Sequence, residues 1–261
     1  MSVETHLGLK DPESEAKRIE KFIRHSLSNA DCETGIVGLS GGIDSAVTSL
    51  LALRSLGENG VVVSFMPEET TPKRDEEDVT VLENKFNLEV KRYGIDPIVE
   101  TFLDLMPDIN DLTLANIKAR VRMVLLYALA NKHGGMVIGT ENLSELLLGY
   151  FTKYGDGAAD VEPIAHLYKT ELKDLAKSLG IPKSIIDKPP SAGLWADQTD
   201  EKELGGTYSE IDEILYCLHD LHLSRSEAKE ELDLQESFIG HIYDLVDESS
   251  HKRVLPYSLD R

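Results

Sequence analysis

Gly35-Ile36-Val37-Gly38 is a short apolar run that leads straight into Leu39-Ser40-Gly41-Gly42-Ile43-Asp44-Ser45, and behind it a helical pattern runs from Ala46 to about Leu56. Strand, glycine-rich turn and helix in that order form the opening unit of a layered α/β sheet. The glycines let the backbone bend sharply and gather several N–H groups at one point, while the helix behind adds the positive end of its dipole. Such a turn suits a phosphate. Ser40 and Ser45 add hydroxyls, and Asp44 adds a carboxylate of the kind that holds magnesium. No Gly-Lys-Ser/Thr follows, so this is not a Walker A loop, and Gly41-Gly42 lacks the third glycine of the dinucleotide fingerprint. A lone Gly-Gly would read as an ordinary capped turn. The complete string is more specific.

The remaining pattern alternates helices and strands. Ile19, Phe22, Ile23 and Leu27 recur at helical spacing and predict an amphipathic helix over residues 12–28. Val61-Val62-Val63-Ser64-Phe65-Met66 reads as a strand buried on both faces. A polar loop over 67–74 precedes a helix with an acidic first turn, Asp75-Glu76-Glu77, that reaches Phe86. A strand over 89–95 and a helix over 97–106 follow. Ile117, Val121, Val124, Leu125, Ala128 and Leu129 then give the clearest helical stripe, with Asn116 and Arg120 on a different face. Met136-Val137-Ile138-Gly139 supplies the next strand and runs into Thr140 and a short helix containing Glu145. Further helices are predicted over 169–179, 211–218 and 224–231, with a long mobile loop over 191–206. The expected fold is α/β, a doubly wound parallel sheet flanked by helices, with nucleotide at the strand ends and a single domain over 1–261.

Composition excludes several classes of function. With 47 acidic against 27 basic residues and a net charge of −20, the chain is a poor general binder of nucleic acid, which needs excess Lys and Arg. Cys32 and Cys217 have no paired spacing, so neither a zinc site nor a disulfide framework is indicated. No membrane association is expected, because the N-terminus has no apolar core and the longest apolar stretches fall well short of a span. A reducing cytoplasm is the expected location.

Gly149-Tyr150-Phe151-Thr152-Lys153-Tyr154-Gly155-Asp156-Gly157 is the second informative stretch, mixing glycines, a lysine and an acid among three aromatics. Residues 39–45 resemble the SGG-x-DS loop of the N-type ATP pyrophosphatases. In that superfamily the loop holds the pyrophosphate of ATP while a substrate oxygen attacks the α-phosphate to give an adenylate. Alone, the loop does not choose among tRNA thiolases, GMP synthetases, asparagine synthetases and NAD synthetases. With Gly139-Thr140 and Glu145 before the second stretch, Asp160 after it, Lys169 further on and His251-Lys252-Arg253 near the end, the chain resembles the ammonia-dependent NAD synthetases over nearly its whole length.

The resemblance implies that Asp44 and Glu145 hold Mg2+ on the pyrophosphate. It implies ATP contacts from Gly38, Leu39, Ser40, Gly41, Gly42, Ile43, Asp44, Ser45, Thr140, Lys169 and Ser191. It implies deamido-NAD contacts from Arg120, Lys153, Asp160, His251 and Lys252, and a homodimer with sites near the interface. Two anionic substrates meeting in so acidic a protein need cations gathered locally, and Arg120, Lys153, Lys169, Lys252 and Arg253 are the candidates. Trp195 falls in the 191–206 loop, where it either packs or closes over substrate. Ile43, the 141–144 segment, Tyr150 and Ser191 depart from the bacterial pattern, and the 67–74 loop lacks the bacterial motif for adenine. These departures point to an archaeal-type member.

The expected reaction is adenylation of the nicotinate carboxylate of deamido-NAD by MgATP, followed by displacement of AMP by ammonia. Ammonia rather than glutamine is expected because the stretch ahead of Ser40 is too short for a glutaminase. Asp156, between two glycines, is the candidate base for ammonium, kept among Tyr150, Phe151 and Tyr154; bracing of the turn is its alternative role. Two other readings stand beside this one: another adenylating amidotransferase, and a non-catalytic nucleotide-binding regulator on the same fold. Residues 150–160 and His251-Lys252-Arg253 speak against the regulator, which needs neither.

Overall fold

The computed structural model describes residues 7–190 and 199–259. Helix α1 (Pro12–Asn29) starts where Asp11 accepts the Ser14 amide and a proline occupies the first turn. Among the described residues four strands follow in chain order: β1 (Gly35–Gly38), β2 (Val61–Phe65), β3 (Val90–Arg92) and β4 (Met136–Ile138). They form one parallel sheet in the order β3-β2-β1-β4. The crossovers are α2 (Ile43–Leu56), α3 (Lys73–Phe86) and the pair α4 (Asp96–Leu105) and α5 (Asp111–His133).

Side chains alternate across the sheet, and both faces are apolar because both are covered. Val37 and Val63 join a core with α1, α2 and α7 (Lys169–Ser178). Ile36, Val62 and Val137 pack on the other side against Leu129 and Ala130 of α5. A third cluster is wholly helical. Leu147 and Leu148 of α6 (Leu143–Leu148) meet α10 (Tyr208–His219), α11 (Arg225–Glu231) and α12 (Glu236–Glu248) around Ile211, Ile214, Leu215, Ile239 and Ile242.

The chain leaves β1 toward β2 and returns later to add β4 on the opposite side of β1. The crevice beyond the ends of β1 and β4 is therefore the point where the winding reverses, the usual ligand position in open parallel sheets. Residues 39–45 leave β1 there, and residues 139–145 leave β4 there.

Three local expectations change. Helix α2 begins at Ile43 rather than Ala46, because Gly42 takes the extended N-cap conformation and puts Asp44 in the first turn. The strand expected over 89–95 contracts to Val90–Arg92, at the edge of the sheet, where only one neighbour pairs with it. Within the loop expected over 191–206, Thr199 and Gly205 bound a short helix, α9 (Asp200–Leu204), which buries Asp200 and Leu204. Ser191 and Trp195 lie outside the described residues. Among the described residues no helix is long and apolar enough to cross a membrane.

Candidate active site

The turn after β1 is held by its own hydroxyls. Leu39 N–H donates to Ser64 O of β2 at 2.8 Å, continuing the sheet by one residue. Ser45 Oγ accepts the Ser40 amide at 3.1 Å and donates to Gly42 O at 3.0 Å, while Ser40 Oγ accepts the Gly42 amide at 3.2 Å. No side chain caps α2, which leaves its first amides for an anion. Gly41 has φ of +87°, and a Cβ there would meet the Asp75 carbonyl oxygen at 2.8 Å, so this position is closed to any other residue. Its carbonyl accepts from Lys188 Nζ at 2.8 Å, and the same nitrogen reaches Asp75 at 2.8 Å and Asp78 at 2.6 Å. The turn is thereby clamped to α3.

Beyond β4, Asn142 opens α6 with a capping box: its side chain accepts the Glu145 amide, and Glu145 returns to the Asn142 amide. Asn142 Nδ2 also donates to Asp44 Oδ1 at 2.8 Å, across the crevice. Lys169 completes the cluster, its Nζ lying 2.7 Å from Asp44 Oδ2 and 2.8 Å from Glu145 Oε1. The lysine is 2% exposed, with the Tyr208 ring 5.3 Å from its nitrogen. Burial pulls the Lys169 pKa down, but the two carboxylates outweigh it and hold the ammonium well above its ordinary value. Burial and the charge of Asp44 raise the Glu145 carboxyl to about 7, with Lys169 opposing.

A buried network anchors this cluster to the helical cap. Asp212 of α10 is fully buried and accepts from Ser144 Oγ, Thr170 N and Thr170 Oγ1. Ser144 Oγ in turn accepts the Lys169 amide at 2.9 Å, which fixes the start of α7. Burial raises Asp212 to about 6 despite these donors. On the sheet side, Glu162 folds over Gly139, where a Cβ would lie 2.1 Å from its Oε1. Burial raises this carboxyl to about 8, offset in part by the Glu141 amide.

The 149–157 stretch packs against the turn at residues 250–253. Lys252 Nζ donates to Gly149 O and Phe151 O at 2.6 and 2.8 Å, and Lys153 Nζ to His251 O at 2.6 Å. Arg120 donates to Lys153 O at 3.2 Å. Asp156 is exposed, and its Oδ1 accepts the Thr152 amide at 2.8 Å, a contact that braces the turn. Arg253 donates to the Leu146, Leu147 and Val246 carbonyls and to Ser249 Oγ, a fastening of α6 to α12.

The candidates thus fall into two groups and an outlier. Ser40, Asp44, Ser45, Glu145 and Lys169 meet at the crevice, with half-buried Thr140 directly after Gly139. Arg120, Lys153, His251 and Lys252 gather at the second stretch. Asp160 stands apart on the flank of β4, accepting the Val137 amide at 2.8 Å and the Tyr127 hydroxyl at 3.2 Å.

The NAD synthase family model matches residues 15–256. The chain belongs to the NAD synthase family. The NH3-dependent NAD(+) synthetase of Thermoplasma volcanium is 45% identical over 252 residues, covering 96% of this chain and 99% of that protein. That of Pyrococcus furiosus is 43% identical over 242 residues, 92% of this chain and 91% of that one. Among solved structures, an NMN synthetase from Francisella tularensis superposes with a TM-score of 0.85 at 35% identity, covering 96% and 99% of the two chains. The NH3-dependent NAD synthetase of Campylobacter jejuni, in complex with nitrate, gives 0.82 at 32% identity, covering 97% and 100%.

Asn142, Tyr208, Asp212, Glu162 and Lys188 were not singled out by the sequence. Only Asn142 carries a local signal, as the first residue of an Asn-x-x-Glu capping box.

Proposed function

We propose that this member of the NAD synthase family is a ligase that amidates deamido-NAD with ammonia at the expense of ATP, giving NAD, AMP and pyrophosphate. The observation that carries the reading is the convergence of Asp44 and Glu145, from the two strands flanking the reversal point, beside a phosphate-suited turn. In the first step an oxygen of the nicotinate carboxylate forms a bond to the α-phosphorus, and the bond from that phosphorus to the β-phosphate bridge breaks with release of pyrophosphate. The first amides of α2 and the Lys169 ammonium face the charge on the phosphates. In the second step ammonia bonds to the carboxyl carbon and AMP leaves with the electrons of the carbon–oxygen bond. Ammonium gives up one proton before it attacks and a second as the amide forms.

The donor set at Asp44 and Glu145 fits magnesium. Both are carboxylates, and a cationic nitrogen already lies between them. Among the described residues no group of three or more His, Cys, Asp or Glu gathers as a metal cage, so the nucleotide would complete the shell. Magnesium there would neutralise charge on the departing pyrophosphate. Arg120, Lys153, Asp160, His251 and Lys252 are assigned to deamido-NAD. Gly38 to Ser45, Thr140, Lys169 and Ser191 are assigned to ATP. Homodimerisation is supported by α4, α5 and the turn between them, which expose Ile98, Phe102, Leu105, Met106, Leu112 and Val124.

The likeness to an NMN synthetase favours one further reading, in which the acid amidated is nicotinate mononucleotide. Incubation with ATP, Mg2+, ammonium and either acid, following the amide and pyrophosphate, separates the two. Product from neither acid would overturn the assignment. Asp156 is proposed as the proton acceptor for ammonium, through the carboxylate oxygen not held by Thr152. Asp156→Asn should then preserve pyrophosphate–ATP exchange dependent on deamido-NAD while slowing amide formation by about a hundredfold. Parallel loss of both activities would leave Asp156 as a brace only.

A further inference from the structure

The pair of carboxylates assigned to metal is already occupied from within. Asp44 Oδ2 and Glu145 Oε1 accept from Lys169 Nζ at 2.7 and 2.8 Å. Asp44 Oδ1 accepts from Asn142 Nδ2 at 2.8 Å, and Glu145 Oε2 from the Asn142 amide at 3.3 Å. Each of the four oxygens therefore has a protein donor. Magnesium binds oxygen at about 2.0–2.1 Å, and an ammonium seated between the two acids takes the ground such an ion would need. Two like charges do not share it. Nor does Lys169 withdraw freely: it is 2% exposed, and a buried ammonium stripped of its partners is strongly penalised. It needs another anion to move to. The adjacent turn is suited to deliver that anion, since among the described residues the first amides of α2 have no side-chain cap.

We infer that Lys169 makes metal uptake conditional on nucleotide: the free protein disfavours a bare divalent cation, and the pair opens when a phosphate chain draws Lys169 from at least one carboxylate. The inference rests on the reading of Asp44 and Glu145 as the metal pair. It gives Lys169 a task beyond contact with phosphate. Metal arrives with nucleotide and not ahead of it, so free divalent cation does not lodge at the centre and hold off the substrate complex.

The test is Mn2+ binding to the full chain, followed through the free-ion resonance with and without an ATP analogue carrying a methylene α–β bridge. The wild-type protein should bind Mn2+ weakly alone and tightly with the analogue. Lys169→Met should bind Mn2+ without nucleotide at least about tenfold more tightly than wild type, which corresponds to about 1.4 kcal/mol. The enhancement by nucleotide should shrink accordingly. Equal binding of Mn2+ alone by the two proteins overturns the inference and leaves the metal pair standing. Failure of the wild type to bind Mn2+ even with the analogue overturns the metal pair itself. If Lys169→Met does not fold, the 15N resonance of the Lys169 ammonium in wild type decides: Mg2+ alone should leave it in place and Mg2+ with the analogue should shift it. A shift by Mg2+ alone overturns the inference.

Discussion

Two lysines flank the phosphate turn, and each places its ammonium between two carboxylates. Lys188 holds Asp75 and Asp78 and also the Gly41 carbonyl; Lys169 holds Asp44 and Glu145 and has the Tyr208 ring beside it. An ammonium has three N–H donors. At Lys188 all three have strong acceptors, one of them backbone, so exchanging any partner loses a bond. At Lys169 two are so engaged among the described residues, and the remaining direction has only an aromatic face, worth far less than a carboxylate. The same pairing therefore serves as a fixed clamp on one side of the turn and as an exchangeable contact on the other. Partner count, more than charge, separates structure from chemistry here.

The largest test of this contrast removes the acids beside Lys169. Asp44→Asn and Glu145→Gln should each leave the fold intact and reduce adenylation by a factor of about 100–1,000, or about 3–4 kcal/mol. Pyrophosphate–ATP exchange in the presence of deamido-NAD reads this, and near-normal exchange in either variant would take that residue out of the reacting centre. A smaller effect of a different kind is expected at the clamp. Lys188→Met strands Asp75 and Asp78 and frees the Gly41 carbonyl, and should lower stability by about 2–3 kcal/mol, short of the value for fully buried pairs because the partners are partly exposed. Denaturant unfolding measures the loss, which should be accompanied by a raised KM for ATP; unchanged stability would make Lys188 an ordinary surface pair.

Glu162 provides the smallest test, as a half-buried carboxyl near the same site with no lysine on it among the described residues. Its native value of about 8 lies above the ordinary 4.5. Between those values the native protein keeps a proton that the unfolded chain has lost. Its contribution to stability is thus fully present below about pH 4.5 and is lost as pH rises toward about 8. Glu162→Gln should flatten the decline in unfolding free energy over that window. Parallel stability profiles for the two proteins would show that Glu162 ionises as it does in solution.

Much of the frame was legible because it is local. The apolar run Val61–Phe65, the glycine-rich turn and the stripe of α5 carry their signals within a few residues, and the acids at 44 and 145 follow from strand-end positions plus the family pattern. What escaped depends on contacts across the fold. Lys188 meets a backbone carbonyl 147 positions away and Asn142 meets Asp44 98 positions away, separations that no periodicity encodes. The buried pair of Glu68 and Lys118, with half-buried Arg122 beside it, was missed for the same reason. It ties the loop after β2 to α5 through pairs of 2.5 and 3.6 Å, where charged residues in a polar stretch read as solvent-facing. Helix α9 was hidden by turn-forming neighbours, with Gly205 acting as its stop rather than as part of a loop. Lys153 and Lys252, expected as contacts for deamido-NAD, also donate to the His251, Gly149 and Phe151 carbonyls, a satisfaction of backbone that composition does not reveal.

The contact between Gly139 and Glu162 bears on how such a chain can drift. A methyl group at 139 would stand 2.1 Å from the Glu162 carboxyl oxygen and 2.3 Å from its Cδ, while the segment carrying Glu162 is bonded to β4 through the Gly139 amide and the Val161 carbonyl and has little room to retreat. Residue 162 can shrink by itself, whereas residue 139 cannot grow without displacing the end of the Glu162 side chain. A lineage enlarges residue 139 most readily after residue 162 has become small, and the glutamate is then hard to restore. The two positions should therefore change as a linked pair, with the glycine fixed wherever the glutamate is kept.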